Sequence, residues 1–286
     1  MASSLPSDAL AAVLLAAVLH AWWNAIAKAG GGRHPLAGPF LISLGGAVWA
    51  LPLLAATGLP DPESYPWLAA SAVIHVVYFG LVGLAYRFAD YSVIYPLIRG
   101  GAPLFTAIVA ALFLGETLGL VASTGVAVLC AGILGLGLDA MRRGRLDGKS
   151  LLVAAATATT IVLYTVVDGL GARASGNAAA YILTLTLATL APLVPVFVLI
   201  GGRSLLSCIR PGWRQGLLGG GMANLSYGIA LWAMTKAPIG LVGAVRETSV
   251  LFATMIAALV LKERFGPARW VAAATIVAGL TLTRAG

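Results

Sequence analysis

Two arginines stand where water is scarce. Arg99 lies in "YPLIRGGAPLF", Tyr95 to Phe105, with no other charge between Tyr91 and Leu114. Arg246 lies in "LVGAVRETSV". A guanidinium stays charged at any working pH and offers a planar fork of N–H donors suited to a carboxylate or phosphate. At bilayer depth a charge costs at least ~2.5 kcal/mol, so it needs a partner. Two readings stay open. Either both arginines line a water-filled path and meet a solute's carboxylate or a mobile acidic side chain. Or each is fixed in a structural ion pair, Arg246 with Glu247 or Asp168.

Other polar side chains interrupt apolar runs at helical spacing. His20, Asn24 and Lys28 follow i, i+4, i+8, so they share one face, with Trp22 and Trp23 between them. His75 and Tyr78 pair at i, i+3, as do Asn224 and Tyr227. Tyr164, Thr165 and Asp168 give another span a polar face. Arg99, Arg246, Trp23, Asn24, Tyr78, Tyr95, Asn224 and Tyr227 are the candidate solute contacts. His20, His75, Asp168 and Glu247 are the candidate proton carriers, since each can titrate. Bland alternatives stand beside these: a neutral hydrogen-bonded histidine, a core Trp23, and an Asp168 wetted at the end of its span.

Pro96 and Pro103 flank Arg99 and deprive the carbonyls of Ser92 and Arg99 of their helical donors. With Gly100 and Gly101 they predict a bent helix that serves as a hinge. Gly132 to Gly137 and Gly219 to Gly221 suit close helix contact. No Lys-Ser/Thr follows them, so they are not a phosphate loop. No nucleophile elbow, metalloprotease motif or metal-spaced Cys/His set is present, and Cys130 and Cys208 are far apart. No enzyme, cofactor or metal is expected.

These residues must be carried by membrane helices. The chain is 60% hydrophobic and 10% charged, with mean hydropathy +0.96; soluble domains carry about 25% charged residues. Ten helices are predicted, roughly 8–28, 36–57, 66–88, 90–112, 117–138, 150–170, 178–200, 214–235, 238–261 and 267–284. Met1 to Ser7 lacks Lys and Arg, so the first apolar run is read as a retained helix. The net charge of +8 sits mostly in short loops, which argues against nucleic acid as a partner. Thirteen of the 18 Lys and Arg fall in odd-numbered loops. The positive-inside rule then places those loops in the cytoplasm and both termini outside. The expected partners are a small-molecule substrate and the lipid bilayer, and monomer and homodimer both stay open.

"RGGAPLFTAIVAALFLGE" from Arg99 and "RETSVLFATMIAALVLKE" from Arg246 align without gaps at an offset of 147 and share 8 of 18 positions. The paired arginines and the paired Glu116 and Glu263 carry more weight than the aliphatic identities. The segments lie five helices apart, so the second copy enters the membrane inverted. Expected halves are residues 1–139 and 150–286, joined by a cytoplasmic linker at 140–149. "YPLIRGGAPLFTAIVAALFLGETL", its echo "VRETSVLFATMIAALVLKERF" and the opening "HAWWNAIAKAG" resemble the EamA-type drug/metabolite transporter superfamily, over essentially the whole chain. Within it the chain is most similar to bacterial exporters of aromatic and neutral amino acids. The resemblance implies an all-α bundle of ten transmembrane helices, two inverted five-helix repeats around a central cavity. It also implies solute export across the bacterial inner membrane by alternating access. Carriers of anionic or phosphorylated metabolites and multidrug exporters are sister possibilities. The latter is disfavoured because the first helix has His20 and Asn24 where a membrane carboxylate is expected. Glu116 and Glu263 are expected to bond neighbouring helix ends.

Overall fold

The computed structural model describes residues 5–30, 34, 36–88, 91–143, 148–261 and 266–285. They form α1 (Ser7–Gly30), α2 (Ala37–Thr57), α3 (Tyr65–Phe88), α4 (Tyr91–Leu114), α5 (Leu120–Arg143) and α6 (Gly148–Ala174). Then follow α7 (Ala178–Leu206), α8 (Ile209–Lys236), α9 (Ile239–Arg246), α10 (Ser249–Leu261) and α11 (Pro267–Ala285). One 3-10 turn, Pro62–Ser64, precedes α3, and no strand occurs among the described residues. Helices are the expected answer for a chain in hydrocarbon, where each backbone group must find its partner within its own segment. Among the described residues, six segments are long and apolar enough to cross a membrane: Ser7–Ala27, Ala37–Thr57, Pro62–Val82, Gly148–Ala174, Ala178–Leu206 and Ile239–Ile256. Leu112, Phe113, Leu120 and Leu199 face outward, as a lipid-facing surface requires. The protein is a multi-pass membrane protein.

Two expectations change. The stretch 201–213, read as a loop, is largely helical: α7 continues to Leu206 and α8 begins at Ile209. α7 turns at Gly202, whose φ of 53° is left-handed backbone that glycine adopts without penalty. Pro211 falls in the first turn of α8, where its missing N–H has no intrahelical partner to lose. The ninth predicted helix is also broken. α9 ends at Arg246 and α10 starts at Ser249. Across the break, Thr248 N–H bonds Val245 O, Val250 N–H bonds Glu247 O and Leu251 N–H bonds Thr248 O, a tightened i→i−3 pattern. The Thr248 hydroxyl donates back to Val245 O at 2.7 Å, competing with the helical ladder.

Glycine sets the closest packing. A Cβ on Gly45 would run into the Gly216 carbonyl, and one on Gly220 into the backbone of Gly45 and Gly46, so α2 and α8 meet backbone to backbone. α5 and α11 meet the same way at Gly125, Gly132 and Gly279. Gly135 faces open space. Contacts cross between the halves: α1 packs on α8 while α3 packs on α6, and α2 packs on α8 while α3 packs on α7. Helices one and six, two and seven, and three and eight therefore exchange roles, as a two-fold relation between the halves requires.

Candidate functional site

α1, α4, α6, α8 and the α9–α10 break bring the polar residues together. Arg99, on α4, donates from Nη1 to Glu247 Oε1 at 2.8 Å, and both side chains are buried. Arg99 Nη2 also contacts Nε2 of His20 on α1. His20 Nδ1 lies 3.3 Å from Arg246 Nη2 and accepts from Trp23 Nε1 at 3.3 Å. One imidazole thus stands between the two arginines. The Arg246 guanidinium lies over the Tyr227 ring, 4.7 Å from its centroid, a cation–π contact. The Tyr227 hydroxyl donates to Asp168 Oδ2 at 2.6 Å, and Tyr181 donates to Oδ1 at 3.2 Å. The chain of contacts from Glu247 through Arg99, His20, Arg246 and Tyr227 to Asp168 is continuous.

This arrangement corrects two readings. Arg246 does not pair directly with Glu247, which Arg99 holds, and it reaches Asp168 through Tyr227. Asp168 is fully buried, not wet at a span end, because α6 continues to Ala174 and carries it deeper.

An aromatic group adjoins the arginines. His75 stacks on Tyr164 with centroids 4.6 Å apart, and Tyr78 meets Tyr164 edge-on at 5.6 Å. Tyr164 meets Tyr227 edge-on at 6.3 Å. His75 Nδ1 lies 3.1 Å from Ser71 Oγ and 2.9 Å from the Ser71 carbonyl. Asn24 spends its amide on the His20 carbonyl at 2.7 Å. Asn224 stands apart from the arginines: it donates to Gly46 O at 2.9 Å and accepts from Thr186 at 2.9 Å, joining α2, α7 and α8. Pro103 is buried on α4. α4 runs unbroken in backbone from Tyr91 to Leu114. The side chains of Lys28, Tyr95 and Pro96, together with Gly100 and Gly101, lie outside those described, and Glu263 lies outside the described residues altogether.

Tyr164 was not singled out as a site residue by the sequence, though a signal exists. The stretch "VLHAWWN" of α1 aligns with "VLYTVVD" of α6 at an offset of 144, since 164 − 20 and 168 − 24 both give 144. Tyr164 takes the place of His20, and Asp168 that of Asn24. Tyr181 carries no such signal, because it reaches Asp168 only through the packing of α7 on α6.

Three buried polar atoms at the helix break have no hydrogen-bond partner among the described residues: Arg246 Nε, Glu247 Oε2 and Ser249 Oγ. No group of three or more metal-ligating side chains occurs among the described residues. Away from this cluster, Glu116 does bond neighbouring helix ends. It accepts from Arg173 Nη2 at 2.6 Å and from the Ile239 N–H at 2.8 Å, at the start of α9. Arg173 also caps the carbonyls of Met234 and Ala237 at the end of α8.

A crystal structure of a protein superposes on this chain with a TM-score of 0.75 at 21% identity, covering 97% of this chain and 98% of that one. That likeness shows the fold. No match was found among the curated proteins. Residues 148–285 match the model of the EamA-like transporter family.

Proposed function

We propose that the protein is a secondary transporter that exports small amphipathic metabolites, foremost aromatic and neutral amino acids, by alternating access. The observation that carries this reading is the buried meeting of Arg99, Arg246, His20 and Glu247 at an interrupted helix. Charge held at that depth marks a solute path in membrane proteins. Helix breaks near the midplane supply solute and ion sites in transporters built from repeats. Arg99 and Arg246 serve a carboxylate, while Tyr78, Tyr164 and Tyr227 offer ring faces to an apolar side chain. Trp23 holds His20 in place. Proton coupling, where it occurs, runs through His20, His75, Asp168 or Glu247. Loop charge places the odd loops in the cytoplasm of a bacterial cell and the termini outside.

Purified protein in liposomes tests the class. Counterflow of labelled neutral amino acids should exceed that of phosphorylated metabolites and lipophilic cations by about 10-fold or more. Movement of phosphorylated metabolites alone would establish an anion carrier instead.

A further inference from the structure

The corner between α7 and α8 carries charge that the transport reading leaves unused. Three arginines fall close together in sequence, Arg203, Arg210 and Arg214, and all are exposed. No Asp or Glu stands in the sequence between Asp168 and Glu247. Among the described residues, none of the three guanidiniums is in an ion pair. The corner is nevertheless pinned to the bundle. Leu205 is fully buried in the cluster of Phe40, Leu193 and Phe197. A Cβ on Gly212 would strike Leu41, so the first turn of α8 lies close on α2. The arginines therefore stand on packed backbone.

Their height in the bilayer follows from their neighbours. Leu199 and Ile200, just before the turn at Gly202, are exposed apolar residues of α7. On α8, Arg210, Arg214 and Leu218 follow at i, i+4 and i+8 and share one face, and Leu218 is exposed, as is Leu225 further on. That stripe changes from basic to apolar within one turn, ~6 Å along the axis. The exposed Trp213 sits at the change, and an amphipathic ring favours the headgroup layer. Arg214 lies over that ring, 5.3 Å from its centroid. A guanidinium over a ring meets it with its face, so its in-plane N–H donors stay available to an anion.

We propose that the α7–α8 corner is a binding site for an anionic phospholipid. Arg210 and Arg214 take the phosphate, Arg203 adds positive potential across the corner, and Trp213 lies beside the glycerol. A phosphodiester offers the paired oxygens that a guanidinium fork matches. A zwitterionic lipid carries the same phosphate but brings a cation of its own into a basic corner. The acyl chains run along Leu199, Ile200 and Leu218. The site depends on neither the solute nor the transport cycle.

The test is quenching of Trp213 emission in the full-length protein reconstituted into phosphatidylcholine bilayers. The quencher is phosphatidylglycerol or phosphatidylcholine, brominated close to the glycerol end of an acyl chain and added at equal mole fraction. Trp213→Phe in each background isolates the Trp213 signal by difference. Wild type should favour phosphatidylglycerol by about 5-fold or more in relative association. High salt should weaken that preference. Combined Arg203→Gln, Arg210→Gln and Arg214→Gln should bring it to within about 2-fold. Where that variant does not reconstitute, Arg214→Gln alone decides, with at least about a 2-fold loss of preference expected. Equal quenching of wild type by the two lipids at low salt overturns the proposal. A preference undiminished in the arginine variants overturns it as well, because the lipid would then be held elsewhere.

Discussion

Tyr227 joins the two charged ends of the cluster: its ring lies under Arg246 and its hydroxyl reaches Asp168. Tyr227→Phe keeps the ring and removes one donor from a fully buried carboxylate. It should lower stability by about 1–3 kcal/mol, read from thermal or denaturant unfolding in detergent. In an Asp168→Asn background the same change should cost less, because the two residues share one bond. An unchanged midpoint for Tyr227→Phe would remove this bond from the account. At this scale the sequence marks the charged residues and not their pairing. Arg246 and Glu247 are adjacent in the chain, which invites a pair. Successive residues on a helix point in different directions, so Glu247 turns to α4 and Arg246 to α8. The helix-period polar faces of α1 and α6 are legible. That Tyr181 closes over Asp168 is not, since it depends on how α7 lies against α6.

At the scale of elements, the interruption between α9 and α10 fixes where Glu247 sits. The sequence points to a bend at the prolines of α4, because proline is the visible helix breaker. α4 is a single helix from Tyr91 to Leu114, and a break that no proline announces lies between α9 and α10, at Glu247 and Thr248, where a threonine hydroxyl and 3-10 bonds interrupt the ladder. Glycine is the more legible signal. The run Gly219 to Gly221 announces a close helix contact, and Gly220 provides it against α2. Gly220→Leu should force α2 and α8 apart and cost about 1–3 kcal/mol or more. Gly80→Leu, at a position open to its surroundings, is the matched control. Monodisperse yield and midpoint in detergent check the pair, and equal behaviour of the two variants would contradict the packing described.

For the whole molecule, the echo at an offset of 147 predicts two halves; in the structure α1 packs on α8 and α3 on α6. The weaker offset of 144 between α1 and α6 gains meaning only when His20 and Tyr164 are seen to join one chain of contacts, through Arg246 and Tyr227. Membrane placement was legible from composition alone. Solute identity was not, because apolar helices constrain sequence by burial and packing far more than by the shape of a ligand. The central claim is that paired guanidiniums at the meeting of the halves hold a carboxylate in transit. Its most direct test is the initial rate of amino-acid counterflow into liposomes for wild type, Arg99→Ala and Arg99→Lys, with unfolding midpoints from the same preparations. Arg99→Lys keeps a charge beside Glu247 but loses the planar fork. The account predicts at least about a 10-fold loss of rate in both variants, with Arg99→Lys retaining a folded, monodisperse protein. Counterflow at the wild-type rate by folded Arg99→Ala would contradict it.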